Sequence, residues 1–230
     1  MGRRRVPGEE AREAGLVELL GREAARWDEV MSRLAYWPLD QHPERGIALV
    51  EAVAERWSPR ARDLPATVLR QLGAGEVRPC LGRVRAVDLR PPWAMPRRDR
   101  LFARMIGEGG VRELYSFTTR YDHGTPHVEL LAAHVTGLRV LFLGMSGIQA
   151  PAARLIASSP AFAGLASLSL HNNAIDDEGA LALVESPHLD RLGYLNLYGN
   201  RISADVIARI ACAPQWRRAV LILHGQNLWT

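Results

Sequence analysis

Three stretches of this chain fall into one pattern when each is moved by 27 residues: LRVLFLGMSGI from Leu138, LASLSLHNNAI from Leu165 and LGYLNLYGNRI from Leu192. Leu138, Leu165 and Leu192 form one column, Leu141, Leu168 and Leu195 a second, and Leu143, Leu170 and Leu197 a third. Ile148, Ile175 and Ile202 follow, and Pro160, Pro187 and Pro214 close the unit. A repeat of this length is one supersecondary unit that cannot bury its apolar face alone, so successive copies must stack. The pattern continues in weaker form upstream, where Val84 and Val111 precede Leu138, and Val87 and Leu114 precede Leu141. Downstream, VLILHGQNL carries it on with Leu221 placed 26 residues after Leu195. Six strands are therefore expected, near residues 86, 113, 140, 167, 194 and 221.

Within one copy, alternation sends Leu168 and Leu170 to the inner face of a short strand and Ser167, Ser169 and His171 to the outer one. The segments DDEGALALVESP and SADVIARIACAP begin with acids, which suit a helix N-terminus, and end at proline, which stops a helix. A strand, a turn, a short helix and a return loop use up the period.

The x-L-x-L-x-x-N-x-I core of SLSLHNNAI and YLNLYGNRI resembles the leucine-rich repeat, in its longer ribonuclease-inhibitor-like form. SLSLHNNAIDDEGALALVESPHL is similar to the bacterial repeats of this family, which read L-D-L-S-x-N-x-I-x-D-x-G-A-x-A-L-A-x-S-P-H-L. The resemblance covers about residues 78–230. It implies an α/β fold, a right-handed solenoid with parallel strands on the concave side and helices on the convex side. It also implies that an asparagine after the strand, here Asn173 and Asn200, bonds the backbone of adjacent turns. Ser146 and Gln226 stand at that place in their own copies, and Thr119 and Pro92 in the earliest two, so the ladder is expected to be irregular.

Residues 1–77 have a different character and are expected to form an N-terminal helical region, with the solenoid occupying 78–230. Leu16, Leu19, Leu20, Trp27, Val30, Met31 and Leu34 lie on one helical stripe over residues 9–36. A second stripe runs through Ile47, Val50, Val53, Ala54 and Trp57, and a short third through Leu64, Val68, Leu69 and Leu72. These helices are expected to cap the open apolar end of the array. A recruitment module is the alternative reading of the same segment. At the other end, HGQNLWT follows the sixth strand directly, leaving Leu221, Leu223 and Leu228 at an edge that either the tail or a partner must cover.

The search for chemistry excludes more than it suggests. All 29 basic residues are arginine, which removes every mechanism that needs a lysine amine and points to a GC-rich, bacterial genome. His123 and His127, with Asp122, come nearest to a metal-ligand spacing, but Pro126 lies between the histidines and no third ligand is evident, so loop histidines and no metal are expected. No G-x-S-x-G elbow occurs, and Asp176, Asp177 and Glu178 sit where a helix start uses acids. The chain is read as a non-enzyme with no catalytic residues and no cofactor. Residues 58–104 hold 11 arginines against four acids, but no aromatic interleaving or nucleic-acid motif accompanies them, and nucleic acid is not the expected partner. No stretch reaches the length of a membrane span, and the opening MGRRRVPGEEARE lacks an apolar signal core, so a cytoplasmic home is expected. Cys80 and Cys212 fall about 19 Å apart in the repeat reading, too far to pair, which suits a reducing compartment.

The outward strand positions carry the functional expectation. Phe142, Ser169, His171, Tyr194, Asn196, Tyr198, Ile222 and His224 fall on one surface, and Tyr115, beside Glu113, takes the equivalent place in the second copy. Rigid rings among small polar groups make a protein-recognition face at low entropic cost. The expected partner is therefore a protein docked across this face. Assembly through the C-terminal edge is the alternative, and nucleic-acid binding by the arginine-rich start of the array a third, less favoured one.

Overall fold

The computed structural model describes residues 8–89, 98–108, 110–120, 124–223 and 225. The chain enters through helices α1 (Glu9–Gly21), α2 (Trp27–Ala35), α3 (Pro43–Glu51) and α4 (Ala66–Gly73). Strand and helix then alternate: β1 (Ala86–Asp88), α5 (Arg98–Gly107), β2 (Ser116–Arg120), α6 (Gly124–His134), β3 (Val140–Gly144) and α7 (Ala150–Ser158). β4 (Ser167–Ser169), α8 (Asp177–Val184), β5 (Tyr194–Asn196), α9 (Ala204–Cys212) and β6 (Val220–Ile222) complete the order. The strands form one six-stranded sheet in the order of the sequence, and each neighbouring pair is parallel. The helices make a second layer in which each packs on the next, from α4 on α5 to α8 on α9.

The leucine columns are the reason for this arrangement. Leu141, Leu168 and Leu195 stand side by side across β3, β4 and β5, and all are fully buried. Removing each from water contributes about 2 kcal/mol, and the neighbouring turn supplies the cover. The helix starts follow their sequence signals: Asp176 Oδ1 accepts from Gly179 N at 3.0 Å, and Ser203 Oγ from Val206 N at 3.4 Å.

The second strand departs from the 27-residue register. Ser116 pairs with Val140 and with Ala86, so 30 residues separate β1 from β2 and 24 separate β2 from β3. Leu114, not Val111, is thereby level with Leu138, and Phe117, not Leu114, joins Leu141. A uniform spacing would have turned Ser116 inward and Phe117 toward water. The three-residue slip buries Phe117 completely against Phe102, with ring centroids 4.5 Å apart.

The slip also moves Thr119. It does not occupy the asparagine place but the inward column, paired with Leu143, fully buried and with its hydroxyl unbonded. An unpaired buried hydroxyl is costly, and valine has nearly the same shape. Thr119→Val is therefore expected to raise the unfolding free energy by about 1 kcal/mol, measured by urea denaturation.

The N-terminal stripes face the core, with Val53, Ala54, Leu64 and Leu69 half-buried and α3 ending at Glu51 before the second stripe does, and the first stripe is two helices. α1 ends at Gly21 and α2 begins at Trp27, because tertiary donors take up the carbonyls that the break releases. The Arg56 guanidinium donates to Leu20 O and, at 2.7 Å, to Arg22 O, while Trp57 Nε1 donates to Ala25 O at 3.1 Å. The fold-back lets Leu16, Leu19 and Leu20 share a core with Trp27, Val30 and Met31.

These helices are continuous with the array. Asp63 pairs with Ala86 in a single parallel bridge, and Leu64 N donates to Ala86 O at 2.9 Å. The ladder thus reaches one step back into the N-terminal region. One apolar cluster runs from Leu16 to Leu223.

Candidate functional site

The outward face of the sheet has two rows fixed by pairing and a third beyond them. The first row is Ala86, Ser116, Val140, Ser167, Tyr194 and Val220, and the second is Asp88, Thr118, Phe142, Ser169, Asn196 and Ile222. Two residues further on, Gly144, His171 and Tyr198 begin the third. The structure thus brings together Phe142, Ser169, His171, Tyr194, Asn196, Tyr198 and Ile222. His224, and Gln226 and Pro92 of the asparagine places, lie outside the described residues.

The side chains on this face hold one another. The Phe142 and Tyr194 rings lie 6.3 Å apart at 51°. Asn196 Nδ2 donates to the Tyr194 hydroxyl at 3.2 Å, and Asn196 Oδ1 accepts from Tyr198 N at 3.0 Å. Ser169 is only 4% exposed, and its hydroxyl lies 3.0 Å from His171 Nδ1. It was expected to meet a partner directly, but its position makes it a support for His171. Tyr198 is 45% exposed, the most open ring of the face.

Glycines seat two of these rings. A Cβ on Gly144 would fall 2.0 Å from His171 Cε1, so the imidazole lies where a side chain would have been. Tyr198 leans over Gly225 in the same way, with Cε2 at 2.3 Å from the missing Cβ, and Gly225 itself has φ of 72°. The corners after β3, β4, β5 and β6 each hold a left-handed residue: Met145, Asn172, Gly199 and Gly225 have φ of 56°, 53°, 70° and 72°.

Tyr115 is not in these rows. The slip of β2 places it one residue before the strand, and Ser116 and Thr118 take the places expected for Glu113 and Tyr115. Its ring lies under the Arg60 guanidinium at 5.4 Å, and its hydroxyl accepts from Arg60 Nε at 3.2 Å.

Beside this pair is a depression of about 420 Å³, lined by Arg60, Asp63, Asp88, Thr118, Val140 and Phe142 among others. Burial pushes the Asp63 carboxyl up, opposed by a bond from its own backbone amide and aided by the charges of Asp28 and Asp88. Sequence reasoning missed these polar residues because it placed the array's first step at β1. The signal was the short Arg62-Asp63-Leu64 stretch before Pro65, too brief to read as a strand.

Behind the face, Asn173 and Asn200 join successive turns. Asn173 Oδ1 accepts from Ser146 N at 2.8 Å and Ile148 N at 3.1 Å, and its Nδ2 donates to Leu143 O and Leu170 O, both at 2.8 Å. Asn200 repeats the arrangement with Ile175 N at 3.1 Å, Leu170 O at 3.0 Å and Leu197 O at 2.8 Å.

Other expected features resolve as follows. His127 is not a loop residue; it is buried in α6, edge-on to Phe102 at 4.9 Å and to Phe117 at 5.8 Å, and His123 lies outside the described residues. Cys80 and Cys212 are free thiols, and burial pushes the Cys80 thiol up to about 12. Among the described residues no cluster of three His, Cys, Asp or Glu could hold a metal, and no helix is long and apolar enough to cross a membrane. No protein-family model matches the chain, and no curated protein matches it.

Proposed function

We propose that the chain is a leucine-rich-repeat solenoid that acts as a non-enzymatic protein-binding scaffold in the cytoplasm, its partner docking across the outward strand face. The observation that carries this reading is the Phe142 and Tyr194 pair with Tyr198 beside it, braced by Asn196 on a sheet of buried leucines. Rings already held in place bury area on binding without paying much for ordering. The asparagine bonds between turns and the left-handed corners after β3 to β6 support the repeat reading. The free cysteines suit a reducing compartment.

The test is a comparison of the wild-type chain with a Phe142→Ala, Tyr194→Ala, Tyr198→Ala variant in pull-downs from the native cell. A partner recovered by the first and lost from the second, at unchanged melting temperature, is the expected result. Each tyrosine alone should cost about 2 kcal/mol of affinity if it is a hot spot. A second reading, a subunit held by its C-terminal edge, is favoured by the place of β6 at the end of the strand order. Retention of the partner by the triple variant overturns the face reading and moves the contact to that edge.

A further inference from the structure

The fold-back of α1 on α2 leaves a groove of about 480 Å³ that shares no lining residue with the depression at the strand rows, with Leu19 in its floor and Arg12, Arg22, Arg33, Glu29 and Tyr36 along its walls. Three arginines and one acid line it, and a second acid, Glu18, stands beside Arg22. Arg22 is engaged by Glu18 at 2.8 Å, and that exposed carboxyl is held below its ordinary range by the hydrogen bond and by the charges of Arg22 and Arg33. Arg12 reaches Gln41 through Nη1, but its Nη2 is buried without a hydrogen-bond partner. Arg33 rests on the backbone of Gly15, whose missing Cβ would fall 2.9 Å from Nη1, so its guanidinium is kept at the groove. Tyr36, 66% exposed, adds a ring and a hydroxyl at the open end.

We propose that this groove binds an acidic segment of a partner protein. Arginine forks fit carboxylates in two-point contact, and Arg12, Arg22 and Arg33 all line this groove. Arg12 in the first turns of α1 and Arg22 just past its end are ten residues apart, about 15 Å at the helical rise, with Arg33 reaching in from the facing helix at Gly15. A single free phosphate cannot span that distance; carboxylates spaced along a peptide can. The apolar floor at Leu19 and the Tyr36 ring accommodate side chains between the acids.

The probe is a fluorescein-labelled hexaglutamate peptide titrated with the full chain and read by anisotropy. Saturable binding that weakens as salt rises is expected, with no binding of hexaserine. Arg33→Gln and Arg12→Gln should each weaken it about tenfold, the loss of one charge-assisted bond, while their melting temperatures stay near wild type. An Arg217→Gln, Arg218→Gln variant, changed at exposed arginines outside the groove, and the triple variant of the strand face should bind as wild type does. Equal binding by Arg33→Gln, an equal loss in the Arg217→Gln, Arg218→Gln variant, or displacement by millimolar inorganic phosphate would each overturn the proposal.

Discussion

Asn200→Ala is expected to lower the unfolding free energy by about 3–5 kcal/mol, although the side chain belongs to no strand, helix or apolar column. Asn200 is fully buried, and its backbone partners include the amide of Ile175 and the carbonyls of Leu170, Leu197 and Tyr198. Alanine leaves these without their partner where water cannot replace it, and each buried orphan costs about 1–3 kcal/mol. Asn200→Asp keeps the acceptor but removes the donor and buries a charge, so it should be no better. Asn196→Ala is the control. Its bonds are to Tyr194 and Tyr198 on the half-open face, and it should cost about 1 kcal/mol or less. Urea unfolding of the three variants decides the matter; a loss under 1 kcal/mol for Asn200→Ala would show that the turns are not held through this side chain.

Phe117→Ala should cost a similar amount, about 3–5 kcal/mol, through the cavity it leaves. Phe117 is fully buried, with Phe102 at 4.5 Å and His127 at 5.8 Å. The slipped register of β2 rests on this residue. Had the uniform spacing held, Phe117 would lie on the outer face and its removal would be nearly silent. Thermal unfolding of Phe117→Ala therefore tests the register as well as the packing.

The parallel array was legible because leucines at fixed intervals leave a chain little choice, and Leu141, Leu168 and Leu195 do stand in one line. The slip in β2 was not, because Val111, Leu114 and Phe117 are three apart and so offer two competing alignments; only the volume of Phe117 separates them. The break between α1 and α2 was hidden for a related reason. Leu16 to Leu34 keep helical spacing through it, and the groups that stabilise it, Arg56 and Trp57, come from elsewhere in the chain. Of the candidate face, the strand positions followed from alternation. Cover on Ser169, the displacement of Tyr115 and the depression around Asp63 depend on neighbours that no local pattern names.

The empty places at Gly144 and Gly225 bear on how the face proposed for binding would change its specificity. His171 and Tyr198 point where they do because the adjoining coil withholds a side chain, so a ring's aim is encoded one coil away from the ring. If the proposed binding face is the recognition surface, diversifying its exposed rows while retaining both glycines should change what it binds and leave the melting temperature near wild type. Changing a glycine instead would swing a ring that was never mutated.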